Sequence, residues 1–323
     1  HALLQGDLAF HRLALVVVDE QHRFGVRQRA ALLKSQDFMP HFLSMTATPI
    51  PRTLSLTVFG DLDISTLREL PQGRKKIVTK VVDPKNRDKA YAFIREELRR
   101  GRQAFVVCPR IEEAETSTNG ASHLKIATEI KTVTAEYQRL AKDVFSDFSV
   151  AMLHGRLSTK EKSRIMADFA LGAISVLVAT SVVEVGVNVP NASVMVIESA
   201  DFFGLAQLYQ FRGRIGRGEH QSYCLLFTES QAATARDRLG VLIKAKNGFE
   251  LAEMDLQIRG PGEFLGDEQT GFPDYAMRAM ANLELVGESK REASLVLSRD
   301  PELASQPLLR ERLKFFEAAV HFE

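Results

Sequence analysis

Near the start of this chain, two adjacent carboxylates and an imidazole close an apolar run. LALVVVDEQHRFG, residues 13 to 25, ends its apolar part in Asp19, Glu20 and then His22. Carboxylates at the end of a buried strand are costly unless a cation sits opposite them. Such a pair suits phosphoryl transfer, where one carboxylate holds the water shell of Mg²⁺ and the other orients an attacking water. An exposed turn with a few salt bridges would produce the same letters. The next apolar run ends in MTATPIPRT (45–53), whose Thr46 and Thr48 bring small hydroxyls within reach of His22; a turn stopped by Pro49 and Pro51 reads alike. A third run, VLVATSVVEVGVNVP (176–190), leads into Thr180, Ser181, Glu184 and Gly186. Hydroxyls and main-chain amides of this kind grip a nucleic-acid backbone, unless the stretch is an ordinary strand and loop. The fourth stretch is QFRGRIGRG (210–218), with three arginines and three glycines in nine residues. It suits neither a core nor a regular helix interior. Arginines delivered to a γ-phosphate stabilise the charge in transfer. A solvated basic loop would account for the arginines but not for the glycine spacing.

These residues need strands to carry them. Short apolar runs alternate with helical patterns, the signature of an α/β protein with parallel sheets. The predicted strands are 13–18, 41–47, 76–82, 103–109, 149–155, 174–180, 193–199 and 222–228, the first of them fully buried. RDKAYAFIREELRRG (87–101) predicts an amphipathic helix with basic residues in its last turn and a glycine stop. STKEKSRIMADFALG (158–172) opens on a Ser cap with Glu161 three positions on, and also stops at Gly. A Pro, a Gly and three basic residues interrupt LRELPQGRKKI (67–77), where a domain boundary is expected. Only two strands precede it, too few for a whole parallel domain, whereas six follow. Residues 112–135 read as a polar surface loop leading into a helix. Beyond 230 come helical stretches and the Gly-rich RGPGEFLGDEQTG (259–271).

The bulk numbers narrow the class. A chain of 323 residues suggests about two domains. No apolar run approaches the roughly 20 residues that span a bilayer, and no signal peptide is visible. Cys108 and Cys224 have neither a metal-ligand spacing nor a disulfide framework, which points to a reducing, cytoplasmic setting. With a net charge of only +1, any nucleic-acid site has to be a local basic patch.

DEQH, TAT, the segment Thr180–Gly186 and Q-x-x-G-R-x-G-R resemble motifs II, III, V and VI of superfamily-two helicases, in order. DEQHRFGV, MTATPIPRTL, GDLD, ELPQGR, VPNAS and FGLAQL resemble the RecG family of bacterial branched-DNA helicases. The block with Asp255, Arg259, Gly260, Gly262, Gly266 and Gln269 resembles the family's TRG (translocation in RecG) motif, shared with the transcription-repair coupling factor. The resemblance implies RecA-like parallel sheets of the P-loop NTPase type, one partial and one complete, followed by a C-terminal helical TRG segment. Its boundaries would be 1–70 for the second half of helicase domain 1, 71–230 for domain 2 and 231–323 for the TRG motif and helical region.

By the same resemblance, Asp19 would hold Mg²⁺ through water and Glu20 would position the hydrolytic water. His22 would couple the nucleotide to Thr46 and Thr48. Gln210, Arg214 and Arg217 would reach across the interdomain cleft, with Arg217 as the arginine finger. Thr180, Ser181, Glu184 and Gly186 would lie between DNA and nucleotide. Arg259, Gly260 and Gln269 would belong to a loop that turns domain closure into movement on duplex DNA. The implied cofactors are ATP and Mg²⁺. The implied substrate is forked or branched double-stranded DNA at stalled forks and Holliday-type junctions, handled by a monomer at the bacterial nucleoid.

Three residues depart from the common pattern: Asn188 stands where Asp is frequent, and Tyr209 and Phe211 where His and Leu are frequent. No segment matches G-x-x-x-x-G-K-[ST], the phosphate loop. The family's wedge domain has no counterpart either, and the chain opens on His1. The expectation is therefore a C-terminal portion that hydrolyses no ATP by itself. Two alternatives stand beside it: the motor of a transcription-repair coupling factor, which DEQHRFGV disfavours, and a non-catalytic DNA-binding piece.

Overall fold

The structure, a computed structural model, describes residues 13–19, 40–46, 65, 67, 75–109, 133–180, 189–230, 232–265 and 283–319. The chain divides into two compact units, His1–Ser65 with Leu256–Glu323, and Thr66–Asp255.

In the first unit, β1 (Leu15–Val18) pairs in parallel with β2 (His41–Ser44), in a register that runs from Leu15 opposite His41 to Val18 opposite Ser44. The expectation of a fully buried first strand is corrected here. Val16 and Val18 are buried, but Leu15 and Val17 are 55% and 51% exposed. In this sheet of two described strands, alternate side chains point to opposite faces, and only one face of β1 is covered.

The second unit is built on six parallel strands. These are β3 (Val78–Val82), β4 (Gln103–Val107), β5 (Val150–Leu153), β6 (Val176–Ala179), β7 (Ala192–Ile197) and β8 (Tyr223–Phe227), in the order β3-β8-β7-β4-β6-β5. Helices cover both faces, which is why β4, β6 and β7 read as unbroken apolar runs. On one face, α1 (Arg87–Arg99) and α2 (133–139, continuing into the π-helical turn Leu140–Val144) enclose Tyr91, Ile94, Leu98, Val133, Leu140 and Phe145. They meet the strand residues Ala104, Val106, Val176, Val178, Val194, Val196 and Phe227. On the other face, α3 (Thr159–Ala170), α4 (Leu205–Arg212) and α5 (Ala233–Lys244) meet Phe105, Val107, Leu177, Met195, Ile197 and Leu226.

Local signals hold where they were read. Ser158 and Glu161 form the reciprocal capping box at the start of α3. Gly101 and Gly172, with φ of 77° and 81°, follow the ends of α1 and α3 in the left-handed conformation that suits glycine. After α5, helix α6 (Gly248–Leu265) spans the division between the units, and α7 (Leu283–Arg299) and α8 (Pro307–Ala319) follow. No helix among the described residues is long and apolar enough to cross a membrane.

Candidate functional site

Because β1 and β2 run in parallel, their carboxyl ends share one edge. Asp19 and the pair Met45–Thr46 lie just beyond the last register pair, and the Met45 amide donates to the Val18 carbonyl at 2.8 Å. The structure thus brings Asp19 and Thr46 together, with Asp19 exposed. An exposed carboxylate is a hard oxygen donor with room for a hydrated ion, so the residue fits Mg²⁺ held through water. Glu20, His22 and Thr48 lie outside the described residues.

Thr180 ends β6 at the carboxyl edge of the six-stranded sheet. It is fully buried; its amide donates to the Leu153 carbonyl at 3.3 Å, and its hydroxyl has no hydrogen-bond partner among the described residues. Ser181, Glu184, Gly186 and Asn188 lie outside the described residues.

The arginine stretch sits at the opposite edge. α4 runs back from the carboxyl end of β7, so the loop after it reaches the amino edge, where the Val78 amide donates to the Ser222 carbonyl at 2.9 Å. Gln210 is half-buried on α4, and Arg214 is half-buried in the loop. Ile215 is fully buried and plugs the loop into the core. Gly216 follows with φ 73°, and a side chain there would meet Ile77 at 3.0 Å. Arg217 is exposed, and its Nε donates to the Gly213 carbonyl at 3.3 Å. The structure therefore groups Gln210, Arg214 and Arg217 at the amino edge and sets Thr180 at the other end of the sheet. At about 3.3 Å per residue, strands of this length separate the two edges by roughly 13–20 Å.

The two unusual aromatics both have packing roles. Phe211 is fully buried and packs edge-on against Phe203, with centroids 5.3 Å apart. Tyr209 lies under the Arg212 guanidinium, 4.8 Å from the ring centre.

Arg259 and Gly260 lie within α6, not in the loop that the resemblance implied for them. The helix includes Pro261, which has no N–H and so gives up one hydrogen bond of the helical ladder. Asp255, on the same helix, is buried, while Gln269 is outside the described residues.

One polar cluster was missed. Glu198 follows β7 directly and is buried; its carboxylate accepts from Arg87 at 2.9 Å and from the Tyr91 hydroxyl at 3.3 Å. Arg139 donates to the same hydroxyl at 2.5 Å and pairs with Glu136. Burial, and then the Glu136 charge, push the Glu198 carboxyl up to about 7, against the opposing pull of Arg87 and Arg139. Burial likewise raises the Tyr91 hydroxyl and the Cys108 thiol. The signal was available in the sequence, since SVMVIES is another apolar run ending in an acid, like the one that ends in Asp19.

Residues 88–219, from α1 through the arginine loop, match the helicase conserved C-terminal domain family. A protein of Synechocystis sp. named ATP-dependent DNA helicase RecG is 48% identical over 97% of this chain and 36% of its own length. One of the same name from Bacillus subtilis is 44% identical over 97% of this chain and 45% of its own length. A solved structure of RecG bound to a three-way DNA junction is 40% identical and superposes with a TM-score of 0.66, covering 88% of this chain and 35% of that one. Over nearly its whole length the chain is similar to RecG helicases. It spans less than half the length of the RecG relatives named here. A Dbp5 variant of S. cerevisiae, 15% identical with a TM-score of 0.51 over 80% of this chain and 66% of its own, shares the RecA-like fold alone.

Proposed function

We propose that this chain forms part of an ATP-dependent DNA helicase that acts on forked and branched duplex DNA, in the repair and recombination of stalled forks. The observation that carries the reading is 40% identity, with common fold, to a RecG solved on a three-way junction. The arginine loop pinned by Ile215 supports the reading chemically, because guanidinium groups held in place suit phosphate oxygens.

In this reading Asp19 holds the hydration shell of Mg²⁺, Glu20 orients the attacking water, and His22 with Thr46 and Thr48 reports the nucleotide state. Gln210, Arg214 and Arg217 act on the transferring phosphate. Thr180, Ser181, Glu184 and Gly186 touch DNA, as do Arg259, Gly260 and Gln269. The domain limits are 1–70, 71–230 and 231–323. The setting is the bacterial cytoplasm at the nucleoid, and the protein works as a monomer.

Arg217→Ala in the full-length protein tests the assignment. It should reduce ATP hydrolysis on forked DNA about a thousandfold, the scale of an arginine finger. The 323-residue chain, which lacks a phosphate loop, serves as the blank in the same assay. Wild-type turnover in the variant, or no stimulation of the full-length protein by forked DNA, would refute the reading.

A further inference from the structure

Arg217 stands between two glycines, and each of them is pressed against a fixed wall. On one side is Gly216, where a side chain would meet Ile77. On the other is Gly218, where a Cβ would lie 2.5 Å from the Pro190 carbonyl oxygen and 3.2 Å from its carbon. No real Cβ sits that close to an oxygen, so the main chain at 218 packs on Pro190 with no room for a side chain.

The Pro190 wall cannot give. Val189 before it is buried in the core. Asn191 after it donates from its side chain to the Gly101 carbonyl at 2.7 Å and to Gln103 at 3.2 Å. The Gln103 amide in turn donates to the Asn191 carbonyl at 3.2 Å. The loop is tied down from the other side as well, because Gln221 donates to the Lys76 carbonyl at 2.8 Å.

We infer that Gly218 is a positioning residue for Arg217: its side-chain-free contact with Pro190, together with Gly216 on Ile77, sets how far the Arg217 main chain stands from the sheet. The inference rests on the proposed function for the role of Arg217. It adds that Pro190, the end of the segment that begins at Thr180, is the surface against which the arginine is gauged. Any side chain at 218 must lift the loop, since Pro190 is held. A displacement on the order of 1 Å at a group that must meet a reacting phosphate costs about a hundredfold in rate.

The test is a double-mutant cycle in the full-length protein, with ATP and forked DNA. Gly218→Ala should lower kcat about a hundredfold with little change in KM for ATP. In an Arg217→Ala background the same substitution should cost almost nothing further, because it acts only through the missing arginine. Gly240→Ala on α5, where a Cβ meets open space, is the control and should match wild type. Should Gly218→Ala fail to fold, Ile77→Ala loosens the opposite wall, and its smaller loss must likewise vanish without Arg217. Additive losses in both cycles would overturn the inference while leaving the helicase reading intact. Indifference to Arg217→Ala would instead sink the reading beneath it.

Discussion

Glu198 shows how one carboxylate can tie distant parts of the chain together. It is held by Arg87, 111 residues away in sequence, and by Tyr91, whose hydroxyl also takes a hydrogen bond from Arg139. With its carboxyl pushed up to about 7 and an unfolded value near ~4.3, the folded state keeps a proton that the unfolded chain has already lost. This group therefore subtracts stability as pH rises from roughly 4.5 through 7, and the loss is complete above that window. Glu198→Gln keeps an acceptor for Arg87 and Tyr91 and removes the titration. Urea unfolding at pH 5, 6, 7 and 8 should show a flatter pH dependence for the variant than for wild type. Parallel curves would mean that Glu198 ionises in the folded protein as it does in the unfolded chain.

Helix α4 carries Gln210 on its partly exposed face, while Leu205, Leu208 and Phe211 anchor the other face in the core. The spacing of three between those anchors keeps them on one side of the helix. Phe211 closes the last turn just before the arginine loop, so its packing against Phe203 fixes where that loop begins. Phe211→Ala should destabilise the protein by about 3–5 kcal/mol, the usual range for emptying an aromatic site in a core. Phe211→Leu, which keeps a large apolar side chain in the site, should cost much less. Chemical denaturation of both variants checks this, and an alanine loss below about 1 kcal/mol would show that the ring is not what holds the helix.

At the scale of the whole molecule, Thr66–Asp255 has what an independent domain needs: six paired strands and helices over both faces. Expressed alone, it should fold and unfold in one cooperative transition. The two thiols provide a convenient probe. Cys108 and Cys224 are both buried, and burial pushes the Cys224 thiol up to about 12, so neither should react with a thiol reagent before the chain opens. Thiol labelling and far-ultraviolet circular dichroism should therefore report the same midpoint. Labelling well below the dichroism midpoint would show a looser core than the structure describes.

Much of this protein is written locally and can be read without coordinates. Apolar runs mark all eight described strands, and they are unbroken in β4, β6 and β7, which are buried on both faces and need no polar alternation. Ser158 with Glu161, and the glycines at 101 and 172, mark where helices begin and end, because caps satisfy amides and carbonyls within a few residues. The acid, hydroxyl and arginine motifs suggested phosphoryl chemistry by residue type, and their order resembled that of superfamily-two helicases. Strand neighbours could not be read in this way, since the order β3-β8-β7-β4-β6-β5 depends on which apolar faces bury one another across long stretches of chain. The parallel strand direction sends Thr180 and the arginine loop to opposite edges, and the packing of the sheet gathers Arg87, Tyr91, Arg139 and Glu198 and presses Gly218 onto Pro190. The last two are contacts between residues far apart in sequence, and their energy exists only once the sheet has closed around them.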